Sequence, residues 1–201
     1  WRLDGLCRIQ AELGEEALCK TCREFPRLTH DYGDFVELGL ELSCPEAARL
    51  ILNESAGYIT ETVPGIGAAE YDRDAMEVLK STRVKALELL KDSSRTVGQP
   101  LALLLLYGCQ AQGELDGAES VPFDMAAALE TARELAQPGD IGEIISFFQS
   151  LEILTDGWDT RLRSPAPSDW DRRTLALARY FVNRYWLQAV SDYDLYSRVK
   201  F

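Results

Sequence analysis

The sequence predicts a mostly helical protein: an irregular all-α bundle with a cysteine-containing segment at its N-terminal end. Two observations predict this class. Beyond residue 44, apolar residues recur at helical spacing almost throughout. The regular alternation of strands and helices, with a glycine-rich first turn, that marks a doubly wound nucleotide-binding fold does not appear. With 201 residues, 46% of them apolar, the chain is long enough to bury a sizeable core.

We expect residues 1–45 to form a cysteine-rich segment and residues 46–201 a helical domain, joined in one continuous structural unit. The sequence begins at Trp1 and stops at Phe201 inside a helical pattern, so we expect a piece cut at both ends. No apolar run approaches the roughly 18 residues that a membrane span needs. We therefore predict no membrane span.

The chain is acidic, and its charge limits the partners it can take. Thirty-three acidic residues against 21 basic ones give a net charge of −12, which repels a phosphate backbone and argues against nucleic acid as a partner. A cationic partner, such as a lysine-bearing protein, would be attracted by this negative charge. Five cysteines, an odd number, do not resemble a secreted disulfide framework, so a reducing, cytoplasmic location is expected.

The N-terminal segment holds four of the five cysteines and the single histidine. Cys19 and Cys22 are two residues apart, a spacing at which one turn directs both sulfurs toward one ion. Cys7 and Cys44 could complete a tetrahedral site. We therefore predict Cys7, Cys19, Cys22 and Cys44 as ligands of zinc or of an iron–sulfur cluster. The alternative is that all four pack as small apolar side chains.

Cys44 is expected at the start of a helix. Ser43 and Glu46 have capping-box spacing, and Pro45 is tolerated in a first turn. The helix N-terminus favours the thiolate, which suits a metal ligand or a reactive sulfur. His30 could also serve as the base for a nucleophilic cysteine, although the sequence marks no third, orienting residue.

Six helices are predicted from the apolar spacing, with bounds near residues 44–53, 72–91, 101–109, 123–136, 141–151 and 168–191. Residues 58–71 contain proline and glycine residues typical of turns, and a short strand is expected before Pro64. Residues 156–168 are expected to be a linker or an exposed loop. The helices around residues 123–136 and 141–151, joined by a short proline–glycine turn, are expected to pack as an antiparallel pair. Cys109 is expected in the core, and the aromatic stripe of the last helix is expected to be a packing seam.

Three stretches resemble the bacterial flagellin lysine-N-methylase family: DGLCRIQAELGEEALCKTCREFPR, LELSCPEAARLIL and NRYWLQAVSDYDLYSRVKF. The spacing around Cys7 and Cys22 also resembles small bacterial proteins with a CxxxCxxCC motif that bind a metal or an iron–sulfur cluster. The family's N-terminal cysteine cluster does not occur in this sequence.

The resemblance implies transfer of a methyl group from S-adenosylmethionine to lysine ε-amines of flagellin, with the cysteines as cluster ligands. Three hypotheses therefore stand. The chain is part of a lysine N-methylase, a structural metal-binding module, or a helical interaction scaffold with inert cysteines.

Overall fold

The computed structural model describes residues 7–53, 63–64, 67–91, 97–135, 141–153, 155–164 and 170–200. Contacts divide the chain into two compact units, Trp1–Arg73 and Asp74–Phe201. Within the described residues there are ten α-helices and one small sheet, so the mostly helical class is confirmed. The sheet was not predicted. The expected boundary after residue 45 stays a prediction.

In the part of the first unit that the structure describes, three short helices accompany a three-stranded antiparallel sheet. Its elements are α1 Arg8–Leu13, α2 Lys20–Glu24, β1 Arg27–Asp31, β2 Phe35–Leu40, α3 Pro45–Asn53 and β3 Val63–Pro64. The predicted helix after Cys44 is confirmed as α3, and β3 matches the short strand expected before Pro64. A 3-10 turn, Glu15–Ala17, follows α1.

A tight turn at Gly33 joins β1 to β2 and fixes the pairing of the two strands. Gly33 has φ +89°, a conformation that favours glycine. A Cβ at this position would lie 2.2 Å from the carbonyl oxygen of Ala68, so the following loop approaches the turn closely. Gly67 donates its N–H to the Gly33 carbonyl at 3.1 Å. In the resulting register, His30 stands opposite Glu37.

The second unit contains seven helices among the described residues. They are α4 Arg73–Leu89, whose first residue belongs to the first unit, α5 Gly98–Leu115, α6 Met125–Leu135, α7 Ile141–Ser150, α8 Asp156–Arg163, α9 Trp170–Tyr185 and α10 Leu195–Lys200. A 3-10 turn, Leu187–Ser191, continues from α9. The side chain of Asp124 caps α6 by accepting the N–H groups of Ala126 and Ala127, each at 3.0 Å.

The core of the second unit is organised around Trp186, which is 1% exposed. Its indole Nε1–H donates to the Thr82 hydroxyl on α4 at 3.1 Å, and that hydroxyl donates to the carbonyl of Val78 at 2.7 Å. Thr82 is itself only 2% exposed. The hydroxyl therefore satisfies the polar edge of the largest buried side chain in the core.

Several expectations about the second unit are wrong. Cys109 is exposed because it lies one helical turn beyond Leu105, on a stripe of α5 that also leaves Leu105 exposed. Residues 156–163 form helix α8, which the side chain of Thr155 caps and an Arg163–Asp159 ion pair of 2.9 Å supports. Residues 165–168 of the expected linker lie outside the described residues.

The expected pairing of the helices before and after residue 138 also differs. The structure packs α6 mainly against α5, and α7 against α8. The proline–glycine turn expected to join α6 to α7 lies outside the described residues. Near the C-terminal end, the predicted helix is confirmed as α9, and its aromatic stripe is mainly a packing seam. Phe181 is the exception, since it stays exposed.

Candidate functional site

Cys19 and Cys22 are brought together in the first unit, as their spacing predicts. Cys19 directly precedes α2 and Cys22 lies within it, and both are exposed. The backbone N–H of Cys22, and after it the Cys22 thiol, lowers the pKa of Cys19. The Cys19 thiol in turn raises the pKa of Cys22. The two sulfurs are thus close enough to influence each other's pKa, and two neighbouring cysteines can bind one metal ion once both have lost their protons.

Cys7 lies within electrostatic reach of this pair. It is half-buried, directly precedes α1, and its electrostatic interaction with Cys22 makes a minor contribution to the raised pKa of Cys22. Three of the four predicted ligands therefore share one region of the first unit. They do not converge further, because nowhere in the described part of the chain do three Cys, His, Asp or Glu side chains gather closely enough to hold one ion.

Cys44 directly precedes α3, where a helix start was expected. It is half-buried, its N–H donates to the Glu41 carbonyl at 3.2 Å, and its carbonyl accepts the N–H of Ala48 at 2.9 Å. The described contacts of Cys44 are thus local. Chemically, the Cys19–Cys22 pair suits two positions of a tetrahedral zinc or iron–sulfur site. The full set of Cys7, Cys19, Cys22 and Cys44 stays a prediction.

His30 has a carboxylate neighbour that the sequence did not reveal. His30 on β1 and Glu37 on β2 are directly opposed, so their side chains leave the same face of the hairpin with Cβ atoms about 5 Å apart. Glu37 is 8% exposed, an unusual state for a carboxylate. An imidazole beside a carboxylate can hold or accept a proton. The pairing depends on the strand register, for which the sequence carried no local signal.

An aromatic cluster accompanies this pair at the turn end of the hairpin. Tyr32 stacks on Phe35 with ring centroids 4.6 Å apart, and Tyr71 meets both rings edge-on. The Tyr71 hydroxyl donates to Asp34 at 2.8 Å, and burial, followed by this bond, raises the pKa of Tyr71. The cluster holds the turn and the loop after β3 together.

The second unit has an open groove between α5, α9 and α10. Leu101, Leu105, Phe181 and Tyr185 contribute apolar surface, and Arg198 stands at its edge. It comprises two adjoining depressions of about 230 and 410 Å³. Together they lie within the size range of small-molecule sites.

Arg198 is held in place at the edge of this groove by oxygen atoms. It donates to both carboxylate oxygens of Asp192, each at 2.9 Å, and to the carbonyls of Asp194 and Gln188. The hydrogen bonds of this arginine therefore go mainly to groups of the fold itself.

The aromatic rings of the groove suit an adenine or a sulfonium. The described residues contain no glycine-rich turn beside a parallel sheet, so they identify no S-adenosylmethionine pocket.

None of the helices in the described ranges combines the length and apolar character needed to cross a membrane.

Comparison with known proteins finds similarity over 51 residues, one quarter of this chain. Over this stretch the chain is 49% identical to flagellar biosynthetic protein FliU of Salmonella muenchen, covering 30% of that protein. It is also 49% identical to proteins named lysine-N-methylase from Salmonella typhimurium and Salmonella choleraesuis, covering 13% of each. No family model and no solved structure matches. One quarter of the chain is therefore similar to flagellar and lysine-N-methylase proteins, and the match spans less than one third of the length of each.

Proposed function

We propose that this chain is part of a cytoplasmic protein-lysine N-methylase that modifies flagellin. The observation that carries the proposal is the 49% identity over 51 residues to proteins named lysine-N-methylase and to a flagellar biosynthetic protein. When bound, S-adenosylmethionine supplies the methyl group, and the accepting lysine must first lose a proton from its ammonium. The net charge of −12 attracts a lysine-bearing substrate.

The proposal includes a metal ion or iron–sulfur cluster on Cys7, Cys19, Cys22 and Cys44. The mutual pKa shifts of Cys19 and Cys22 support two of these ligands, and the effect of Cys7 on Cys22 supports a third. Metal binding would remove the remaining thiol protons and tie the region around α1 and α2 together. A structural zinc site without catalysis is the second candidate, and the same cysteine pair favours it.

Methylation is tested with the full-length protein, S-adenosylmethionine and purified flagellin. We expect mass spectrometry to find methylated flagellin lysines after incubation and none in a reaction without S-adenosylmethionine. Unmodified flagellin after incubation with metal-loaded protein would refute the proposed activity.

The cysteine site is tested by metal and sulfide analysis of full-length protein purified without oxygen. We expect bound metal in the wild type and its loss in Cys19→Ser and Cys22→Ser. Cys109→Ser is the matched control, because Cys109 is also exposed but lies in the second unit. Iron with matching sulfide would identify a cluster, and zinc alone would identify the structural site. Equal metal in the wild type and the Cys19 and Cys22 variants would exclude this pair as ligands.

A further inference from the structure

The groove between α5, α9 and α10 is fixed in shape by the close packing of α10 on α5. A Cβ at Gly108 would lie 2.9 Å from Cγ1 of Val199, so only glycine lets α10 approach α5 this closely. The side-chain oxygen of Gln112 on α5 accepts the N–H groups of Leu195 and Tyr196 at 2.8 and 2.9 Å. The groove is therefore formed in the absence of a ligand, as small-molecule sites usually are.

The first depression of the groove is apolar and leaves large side chains in contact with water. Leu105 is 41% exposed and Phe181 is 39% exposed, although both lie in a concave surface. A ligand that entered this depression would cover both side chains without a partner of protein size.

The second depression adds hydrogen-bond donors to this apolar wall. It is lined by Phe181, Tyr185, Ser197 and Arg198. The bonds of Arg198 to the fold all come from its two terminal nitrogens, so its Nε–H has no acceptor among the described residues. In the same part of the chain, the hydroxyls of Tyr185 and Ser197 make no hydrogen bond. Three donors therefore remain for a ligand.

The charged side chains around the groove favour an anion. Arg198 and Lys200 are among the described residues that line it, and no carboxylate is. Arg184 adds a cation over the ring of Tyr185, 5.0 Å from its centroid. This composition contrasts with a chain of 33 acidic and 21 basic residues. Aromatic rings alone accept a cation, but cations beside them disfavour one.

The two acids in the turn before α10 are engaged by the protein itself. Asp192 binds both terminal nitrogens of Arg198, each at 2.9 Å, which leaves the Nε edge of the guanidinium. The side chain of Asp194 accepts the N–H of Ser197 at 3.0 Å. Asp192 offsets part of the charge of Arg198, so binding of an anion depends on directed hydrogen bonds as well as on charge.

We propose that this groove binds a small aromatic carboxylate. The carboxylate accepts hydrogen bonds from Arg198 Nε–H and from the hydroxyls of Tyr185 and Ser197, and the apolar body lies against Phe181 and Leu105. An ionised carboxylate is an acceptor only, with several lone pairs, so it matches a site that offers three donors. The site belongs to the second unit and does not depend on the proposed methylase activity.

Binding is tested by saturation-transfer NMR on the full-length protein, with phenylbutyrate as the probe. We expect a Kd on the order of 1 mM, as a ligand of this size reaches. Phenylbutyramide keeps the shape and loses the charge, so it is expected to bind about fivefold more weakly or worse, and phenylbutylamine more weakly still. Equal affinity for acid and amide, or no saturable binding of the acid, would overturn the proposal.

A double variant removes donors without removing a contact of the fold. Tyr185→Phe combined with Ser197→Ala is expected to weaken phenylbutyrate binding by about fivefold. It should leave the urea unfolding curve unchanged, because neither hydroxyl bonds to a described residue. Tyr196→Phe is the matched control, since Tyr196 is 39% exposed on α10 and does not line the groove. It is expected to change the Kd by less than about twofold.

Arg198→Gln tests the charge. It is expected to weaken phenylbutyrate binding by about tenfold and to change phenylbutyramide binding by less than about twofold. Equal weakening of the two ligands would contradict a charge-specific contact. If Arg198→Gln and the double variant both bind phenylbutyrate as the wild type does, the acid binds elsewhere and the proposal fails.

Competition separates this site from the cofactor site of the proposed methylase. S-adenosylmethionine carries a sulfonium and an ammonium beside its carboxylate, and the cations around the groove disfavour both. It is therefore expected not to displace phenylbutyrate. Displacement at about equal concentration would overturn the proposal, because the groove would then be the cofactor pocket. Methylation of flagellin is not part of this test, so its failure leaves the carboxylate site standing.

Discussion

Replacing Thr82 by valine tests the polar contact at the centre of the second unit. Valine keeps the shape of threonine but removes the hydroxyl that accepts the indole N–H of Trp186 at 3.1 Å. Because both residues are buried, that N–H is left without its acceptor, at a cost of about 1–3 kcal/mol. At roughly 4 °C per kcal/mol for a unit of this size, Tm should fall by about 8 °C.

Thr82→Ser is the control for this substitution. Serine keeps the hydroxyl and removes one methyl group, so the expected loss is about 0.8 kcal/mol. The assay is urea unfolding followed by far-ultraviolet circular dichroism. In a Trp186→Phe background, which has no indole N–H, Thr82→Val should cost about 2 kcal/mol less than in the wild type. The reasoning is refuted if valine is tolerated as well as serine.

Three further predictions concern the hairpin turn, an ion pair and a thiol. Gly33→Ala should destabilise the first unit by about 2 kcal/mol or more in urea unfolding, whereas Gly14→Ala, with similar φ but open space, should cost about 1 kcal/mol. Arg198 lowers the pKa of Asp192, so Arg198→Gln should reduce stability by less than about 1 kcal/mol at pH 7. The part of that difference due to the ion pair should be present above the ordinary aspartate pKa and be lost as the pH falls through the lowered pKa of Asp192, whereas a difference that stays constant with pH would contradict it. Because the pKa of Cys19 is lowered and that of Cys22 is raised, iodoacetamide should modify Cys19 in metal-free protein at lower pH than Cys22, as followed by peptide mass spectrometry. Equal rates would contradict this.

The helices that were predicted correctly are those that a local sequence pattern indicates. The helices α3, α4 and α9 repeat apolar residues every three or four positions, and this spacing depends on near neighbours alone. The Cys19 and Cys22 thiols lie close together for the same reason, since one turn sets the distance between them, and their role as metal ligands stays a prediction.

Non-local structure accounts for what was missed. Strands β1 and β2 are short and mixed in composition, and they are stabilised by pairing across the Gly33 turn. The opposition of His30 and Glu37 is a consequence of that register and is invisible in the one-dimensional pattern. Helix α8 is mostly polar, so capping and ion pairing define it where apolar spacing does not.

Periodicity also shows which residues share a helix face without showing what covers that face. Ile144 and Phe148 lie one helical turn apart on α7, but this spacing could not show that both remain exposed. The same limit explains Cys109, whose apolar surroundings in sequence suggested burial that the helix orientation does not provide.

The exposed apolar side chains of α7 and α8, among them Ile144, Phe147 and Trp158, have a practical consequence for the colloidal behaviour of the protein. At neutral pH, the charge of −12 keeps molecules apart even though each presents a broad apolar surface. Near the isoelectric point of about 4.6, that repulsion disappears while the apolar surface remains. Acidic buffers should therefore promote reversible clouding, and raised salt at neutral pH should do so more gradually by screening the same charges.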